Sequence, residues 1–430
     1  MNTKNINLIK GILGGAGGRS VSLLAPFLVM PIMLNSMGES IFGLWLTILS
    51  LTSMIMFMDL GIGNGLLTKL SYENGLKNYG NMKSYIASGY FILGLIALFS
   101  TIIVFIGLFF LKSYYEYNEE NIKIILITLV LFLLGIPVSI IQKIMYAKHE
   151  ILSFNLWQIV GSFFSILLCY LAVYLELKSW LIVFFYSFPL LGIMVLNTGL
   201  FFYRNKELIP KIQDFSKERS KELLGIGSKF FILSIITSIS LNLDNLLIAT
   251  KISEEMVVSY SIPAKVASLL GLVVTTLYLP LWSANGDAFS RKDYDWVVNT
   301  TKKMMVIGGV VILILSFFLN IFNEEVIRLW MKKIFYQQDQ TIFYLCILSF
   351  LMAIVSPWFM VLNSLGKVYI QIKIWLIYLF ITFILKYYLL NESNIWIIAM
   401  INAFTYAIII VPVAIFFSKK AIEQLKSENS

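Results

Sequence analysis

The chain has 430 residues, of which 59% are hydrophobic and only 13% are charged, and its mean hydropathy is +0.83. Soluble globular domains carry about 25% charged residues, so this composition excludes a soluble globular protein. The net charge of +9 does not indicate nucleic-acid binding, because the basic residues are distributed over many loops instead of clustering in one segment.

Long apolar runs predict about twelve transmembrane helices, because each run can cross about 30 Å of hydrocarbon and its backbone must be satisfied internally. The predicted spans are 11–34, 41–66, 85–111, 122–145, 152–174, 180–203, 223–249, 256–283, 304–322, 342–362, 368–388 and 395–417. Most Lys and Arg residues fall in the even-numbered connections and the termini, which predicts an N-in/C-in topology. The connection after the ninth span, with Arg328, Lys332 and Lys333, is the exception.

The first predicted helix combines several glycines spaced four residues apart with Arg19, Pro26 and Pro31. Close helix packing explains the glycines, but it does not explain an arginine inside the membrane, which costs at least about 2.5 kcal/mol. Arg19 is therefore a candidate cation of a substrate cavity.

The second predicted helix contains the stretch FMDLGIGNGLLTKL at 57–70. No strand precedes its glycines and the G-x-G-x-x-G spacing is absent, so the stretch is not a dinucleotide-binding loop. Asp59 lies at nearly the same depth as Arg19, and the two helices are joined by a short turn. An Arg19–Asp59 pair, in which each charge lowers the burial cost of the other, is the natural hypothesis.

A highly charged connection at 204–222 divides the chain in the middle. The predicted units are an N-terminal six-helix bundle (1–203), this cytoplasmic linker, a C-terminal six-helix bundle (223–417) and a cytoplasmic tail (418–430). Weak matches across the division, such as Glu39 and Tyr79 with Glu254 and Tyr294, fit parallel repeats that move about a central site. Chance similarity in a chain this rich in aromatic residues is the alternative.

In the second half, Lys265 lies about 15 Å from the external end of its predicted helix, at 1.5 Å per residue, and Asp244 lies closer to that surface. A Lys265–Asp244 pair is predicted, with Asp244 as a membrane-embedded acid. Basic residues at depth in both halves indicate a cavity suited to an anionic ligand. Four aromatic residues are candidates for stacking on sugar rings, although interfacial aromatic belts also explain such residues: Trp45, Tyr260, Tyr278 and Trp282.

Enzymatic chemistry is not expected. The single histidine, His149, excludes a multi-histidine metal site, and no G-x-x-x-x-G-K-[ST] loop is present to bind ATP. The external connections are too short for the catalytic loops of a polysaccharide polymerase. Cys169 and Cys346 fall in apolar runs and are interpreted as small core residues. Neither a catalytic residue, a metal nor a cofactor is predicted.

The Arg19-bearing, proline-bent first helix, followed by MLNSMGESIFGLWL and MDLGIGNGLLTKL, resembles the Wzx-type flippases of O-antigen and other polysaccharide units. These belong to the multidrug/oligosaccharidyl-lipid/polysaccharide exporter superfamily. The agreement in span count and orientation covers the whole chain, and the motifs lie in the first 80 residues.

The resemblance implies a MATE-like fold and a flippase in the bacterial inner membrane. Its substrate would be an undecaprenyl-diphosphate-linked oligosaccharide, which Arg19 and Lys265 would meet as cavity cations. It further implies alternating access, and partners that include the lipid bilayer, a polysaccharide polymerase and chain-length proteins. A coupling ion, H⁺ or Na⁺, with Asp59 or Asp244 as the titrating group, is one open energy source, and consumption of product outside is another. The alternatives are a multidrug or toxin extruder of the same fold and a membrane polysaccharide polymerase.

Overall fold

The computed structural model describes residues 28–30, 32–38, 41–42, 44–45, 48–49, 61–114, 119–252, 254–331, 339–391 and 394–428. From Ile62 onward the described helices, in chain order, are α1 (Ile62–Gly75), α2 (Tyr79–Tyr114), α3 (Glu119–Val138), α4 (Ile140–Ala147), α5 (Ile151–Tyr174), α6 (Ser179–Arg204), α7 (Lys217–Lys251), α8 (Glu254–Ser290), α9 (Tyr294–Met331), α10 (Asp339–Ser364), α11 (Val368–Leu389), α12 (Ile397–Thr405) and α13 (Val411–Ser427). A π-helical turn, Tyr406–Ile410, joins α12 to α13.

Within these residues, ten helical stretches are long and apolar enough to cross a membrane. They correspond one to one to the third to twelfth predicted spans, so the all-α membrane architecture is confirmed. The first two predicted spans lie mostly outside the described residues. The number twelve and the N-in/C-in orientation stay predictions.

Prolines account for the interruptions of two spans. The predicted span 122–145 is divided into α3 and α4 at Ser139, two residues after Pro137, which lacks the N–H that would continue the hydrogen-bond ladder. The π-helical turn likewise lies just before Pro412, which occupies the first turn of α13. The composition identified both spans, but it did not predict these local breaks.

The chain forms two compact units, 1–230 and 231–430, and the division falls inside α7. Residues 204–222, predicted as a linker, contain two short 3₁₀ turns, Lys206–Leu208 and Ile212–Asp214, and the first turns of α7. Below, the two units are called the N-terminal unit and the C-terminal unit.

Each unit has its own apolar core. In the N-terminal unit, a cluster around Trp45 packs residues of α3, α5 and α6, and it includes the buried Cys169. In the C-terminal unit, the largest described cluster joins α10, α11 and the π-helical turn around Tyr378 and Tyr406. Cys346 is also buried, and both thiols are free, as predicted.

Candidate functional site

A buried ion pair lies inside the C-terminal unit. Lys386 Nζ on α11 is 2.5 Å from Asp244 Oδ1 on α7. The two side chains are 1% and 4% exposed, so both charges are buried inside the protein. Such burial carries a desolvation cost, which is recovered only when the pair is close and its other polar atoms are also satisfied.

Two further donors satisfy the Asp244 carboxylate. The Tyr260 hydroxyl on α8 donates to Oδ2 at 2.7 Å, and Asn402 Nδ2 on α12 donates to the same oxygen at 2.9 Å. The Asn402 amide oxygen accepts a hydrogen bond of 3.0 Å from the Tyr378 hydroxyl. Asp244 thus accepts from α8, α11 and α12, and this cluster links four helices of one unit.

Aromatic rings cover the cluster on the α11 side. Tyr378 packs edge-on against Trp375 and Tyr406, with ring centroids 5.3 and 6.0 Å away. All three side chains are buried. An apolar wall of this kind lowers the local dielectric constant, which strengthens the hydrogen bonds and makes the loss of any one of them costly.

The predicted Lys265–Asp244 pair is wrong, because Asp244 binds Lys386 and Tyr260 while Lys265 lies on an exposed face of α8. The helical geometry explains the difference. Residues five apart are separated by about 140° around a helix of 3.6 residues per turn. Since Tyr260 occupies the face of α8 that contacts Asp244, Lys265 points away from it.

Sequence reasoning missed Lys386, although a signal was present. Five residues of α11 recur at intervals of three or four and are all buried: Gln371, Trp375, Tyr378, Thr382 and Lys386. This spacing defines one helix face, and a partly polar buried face indicates polar partners on neighbouring helices. Asn402 was missed because an isolated Asn in an apolar run carries no pattern of its own.

Lys265 has a different environment from Lys386. None of the ion pairs among the described residues includes Lys265, whose side chain is exposed. Other polar groups are exposed beside it: Ser268 lies on the same face of α8, and Ser261 donates to Asn245 Oδ1 at 3.0 Å. The C-terminal unit therefore displays an uncompensated ammonium and neutral polar groups on a membrane-spanning helix pair, α7 and α8.

The four aromatic residues considered for sugar stacking are buried in this structure. Trp45 is 1% exposed and packs against Phe42 and Tyr186. Tyr278 is fully buried and its hydroxyl donates to the Met304 carbonyl at 3.3 Å. Tyr260 and Trp282 are 4% and 5% exposed, so a stacking role for any of the four stays a prediction.

Arg19 and Asp59 lie outside the described residues. The Arg19–Asp59 pair and the role of Arg19 as a cavity cation stay predictions for this reason. Within the described part of the chain, no group of three or more His, Cys, Asp or Glu side chains is arranged to hold a metal ion.

A second charged cluster lies in the N-terminal unit, where the predicted linker meets α1 and α2. The Glu222 carboxylate forms ion pairs with Lys69 Nζ at 2.7 Å and with Arg219 Nη1 at 3.0 Å, and it accepts a hydrogen bond of 2.5 Å from the Tyr85 hydroxyl. Arg219 also lies over the Tyr85 ring, 5.0 Å from its centroid. This linker clamp, consisting of Lys69, Tyr85, Arg219 and Glu222, fastens the first turns of α7 to the preceding helices. The sequence does not predict this clamp, because Lys69 and Tyr85 lie far along the chain from Arg219 and Glu222.

Comparison with known structures identifies the class of fold. The chain aligns with a MATE structure in the bent conformation at a TM-score of 0.79 and 16% identity, covering 99% of this chain and 97% of that chain. A MOP superfamily transporter from Pyrococcus furiosus aligns at a TM-score of 0.78 and 15% identity, covering 98% and 96%. The fold is therefore that of the MATE transporters, as the resemblance implied.

The family follows from the sequence itself. The model of the polysaccharide biosynthesis protein family matches residues 8–284, and the chain belongs to this family. A Yersinia pseudotuberculosis protein, provisionally named an O-antigen export protein, is 23% identical over 328 residues, which is 73% of each chain. A Salmonella typhimurium (strain LT2) protein, provisionally named an O-antigen transporter, is 22% identical over 345 residues, covering 77% of this chain and 75% of that one.

Proposed function

We propose that this chain is a flippase that moves a polyprenyl-diphosphate-linked oligosaccharide across the bacterial inner membrane for O-antigen or other surface polysaccharide. The observation that carries the proposal is the similarity to the two O-antigen export and transport proteins over about three quarters of the chain. The membership of the polysaccharide biosynthesis protein family supports the same substrate class.

The chemistry of the exposed face of α8 supports an anionic substrate. An uncompensated ammonium inside a membrane span is costly unless water or an anion reaches it, and Lys265 is such a group. In this proposal the Lys265 ammonium attracts the diphosphate. Neighbouring hydroxyl and amide groups, such as those of Ser261 and Asn245, form hydrogen bonds with sugar hydroxyls. Arg19 is the corresponding cation proposed for the first half of the chain.

The proposed mechanism is alternating access, in which the two halves expose the substrate-binding surface first to the cytoplasm and then to the outside. The chain acts as a transporter and performs no bond chemistry on the glycan. Asp59 is the preferred candidate for binding a coupling ion, H⁺ or Na⁺, because Asp244 is already paired with Lys386. A polysaccharide polymerase that consumes the product outside is the proposed downstream partner.

Complementation tests the proposal. A strain that lacks its polysaccharide flippase but makes the matching repeat unit is given this chain, and surface polysaccharide is measured on gels and by cell-surface labelling. The wild-type chain should restore display, and Lys265→Ala should reduce it several-fold at equal membrane abundance. Lys373→Ala is the matched control, because Lys373 is also an exposed lysine on a membrane-spanning helix.

One outcome would contradict the flippase function, and another would contradict only the role of Lys265. Failure of the wild-type chain to restore display, combined with a gain in resistance to cationic drugs, would instead establish the multidrug or toxin extruder. Full display with Lys265→Ala would remove the proposed contact between Lys265 and the diphosphate, although the flippase function itself would stand.

A further inference from the structure

The connection between α6 and α7 carries exposed apolar side chains that the proposed function does not use. Ile212 is 96% exposed, and Ile209 and Phe215, three residues to either side, are 40% and 39% exposed. Three large apolar side chains at a regular interval in a short polar connection are unusual, because a solvated linker gains nothing from exposing them.

Phe215 connects this segment to exposed apolar residues of a membrane-spanning helix. Its ring centroid is 4.6 Å from that of Phe91, which is 51% exposed on the membrane-spanning helix α2. After Phe91, exposed apolar residues continue along the same helix: Leu95, Leu98, Phe99 and Ile102. Phe91 thus begins an exposed apolar stripe on α2, and the Phe215 ring packs against the start of this stripe.

Polar contacts fix the segment against α2. Ser88 Oγ donates to the Ser216 carbonyl at 3.2 Å and accepts from the Ser216 backbone N–H at 3.3 Å. Lys83 and Asp214 form an ion pair of 3.4 Å. Leu208, at the other end of the segment, is fully buried. The stretch from Leu208 to Ser216 is therefore held alongside α2 instead of extending away from the protein.

Exposed cations flank the apolar side chains. Lys206, Lys211 and Lys217 are all exposed, and none of them forms an ion pair with another described residue. Apolar residues that enter the acyl boundary, bordered by lysines at headgroup level, are the two elements of a peripheral membrane anchor.

We propose that residues 206–217 form an interfacial anchor that binds the anionic lipid surface of one leaflet. Ile209, Ile212 and Phe215 enter the acyl boundary, and Lys206, Lys211 and Lys217 contact anionic headgroups. The anchor is continuous with the lipid-facing stripe of α2, and it holds the start of α7 at a fixed depth together with the linker clamp.

Site-directed spin labelling tests the anchor on the full chain. A nitroxide is attached at Ile212→Cys and, as the matched control, at Gln213→Cys, an exposed polar position next to it. Cys169 and Cys346 are buried and are replaced by Ala in both labelled variants. Each protein is reconstituted in two kinds of nanodisc, one of phosphatidylethanolamine with phosphatidylglycerol and one of phosphatidylcholine alone. Elution as a monodisperse peak verifies that the protein is folded.

The measured quantity is the collision rate of the nitroxide with oxygen, which concentrates in lipid, relative to a water-soluble nickel chelate. The label at position 212 should favour oxygen several-fold more than the label at position 213, and the ratio should rise further when phosphatidylglycerol is present. Equal nickel access at both positions would overturn the anchor. A ratio that is the same in both lipid mixtures would overturn the headgroup contact.

A protein partner is distinguished in the same experiment. If the label at position 212 is accessible to nickel in nanodiscs but protected in native membranes, the apolar residues cover a protein surface and the lipid anchor is wrong. The anchor is tested by the depth of a label, whereas the flippase proposal is tested by surface polysaccharide. Failure of one proposal can therefore be distinguished from failure of the other.

Discussion

Replacement of Lys386 by methionine tests whether the buried pair of the C-terminal unit is a structural element. Methionine has a similar length and no charge, so Lys386→Met removes the ammonium while leaving little empty space. The variant leaves the Asp244 carboxylate buried at 4% exposure with two neutral hydrogen-bond donors, Tyr260 and Asn402, and no counter-charge.

The magnitude follows from the geometry. At 2.5 Å, two unit charges attract by about 7 kcal/mol at an effective dielectric constant of 20, and this attraction offsets the desolvation of both groups. Removal of one partner of a buried pair costs about 3–5 kcal/mol. For a unit of about 200 residues, each kcal/mol lowers Tm by about 2–4 °C, so the expected fall in Tm is on the order of 10 °C.

Thermal unfolding in detergent, followed by the loss of the monodisperse peak in size-exclusion chromatography, provides the measurement. Lys373→Met on the same helix is the control, because Lys373 is exposed, and its Tm should stay within about 2 °C of wild type. The double variant Asp244→Asn/Lys386→Met should be more stable than Lys386→Met alone, because the amide keeps acceptor contacts without a charge. Losses that simply add in the double variant, or a Tm unchanged by Lys386→Met, would refute this account.

Two other contacts give sharp predictions. A Cβ at Gly308 would lie 1.6 Å from the Tyr278 hydroxyl, so Gly308→Ala should lower the free energy of unfolding by about 1–3 kcal/mol or more. The control Gly309→Ala, whose Cβ would meet its nearest atom at 3.6 Å, should have almost no effect in the same melting assay. Equal Tm values for the two variants would contradict the packing. Glu222→Gln should loosen the linker clamp and increase trypsin cleavage between residues 204 and 221 several-fold. Glu218 is exposed, so the control Glu218→Gln should not change the cleavage rate. Equal cleavage rates in the two variants would show that Glu222 does not hold the segment.

The membrane spans were predictable because they depend on length and composition alone. An apolar run of about 20 residues has only one stable backbone structure in lipid, and the ten described spans appear where the sequence placed them. Their ends differ by several residues: the predicted span 304–322 starts inside α9, which begins at Tyr294, whereas its predicted end coincides with a kink of α9 at Phe322. Helix continuation beyond the hydrocarbon depends on local hydrogen bonds, which hydropathy does not measure.

Charge partners were harder to predict, since they depend on which helix faces meet. Asp244 and Lys386 are 142 residues apart, and a depth estimate alone could not choose between Lys386 and Lys265. The linker clamp was hard to predict for the same reason, because Glu222 and Tyr85 are 137 residues apart in the sequence. Long-range packing brings these groups together, and a local pattern such as the polar face of α11 indicates that partners exist without identifying them.

The number of partners around each charge separates structural charges from functional ones. The Lys386 ammonium already lies 2.5 Å from the Asp244 carboxylate in the same unit, so an incoming Na⁺ would have to displace a cation that is held there. A coupling ion therefore gains less at Asp244 than at an acid without a fixed counter-charge, and we infer that Asp244 stabilises the fold. Lys265 has the opposite environment, since its charge is uncompensated among the described residues. A membrane protein retains such a group at a cost of at least about 2.5 kcal/mol, and an anionic substrate supplies a reason to do so.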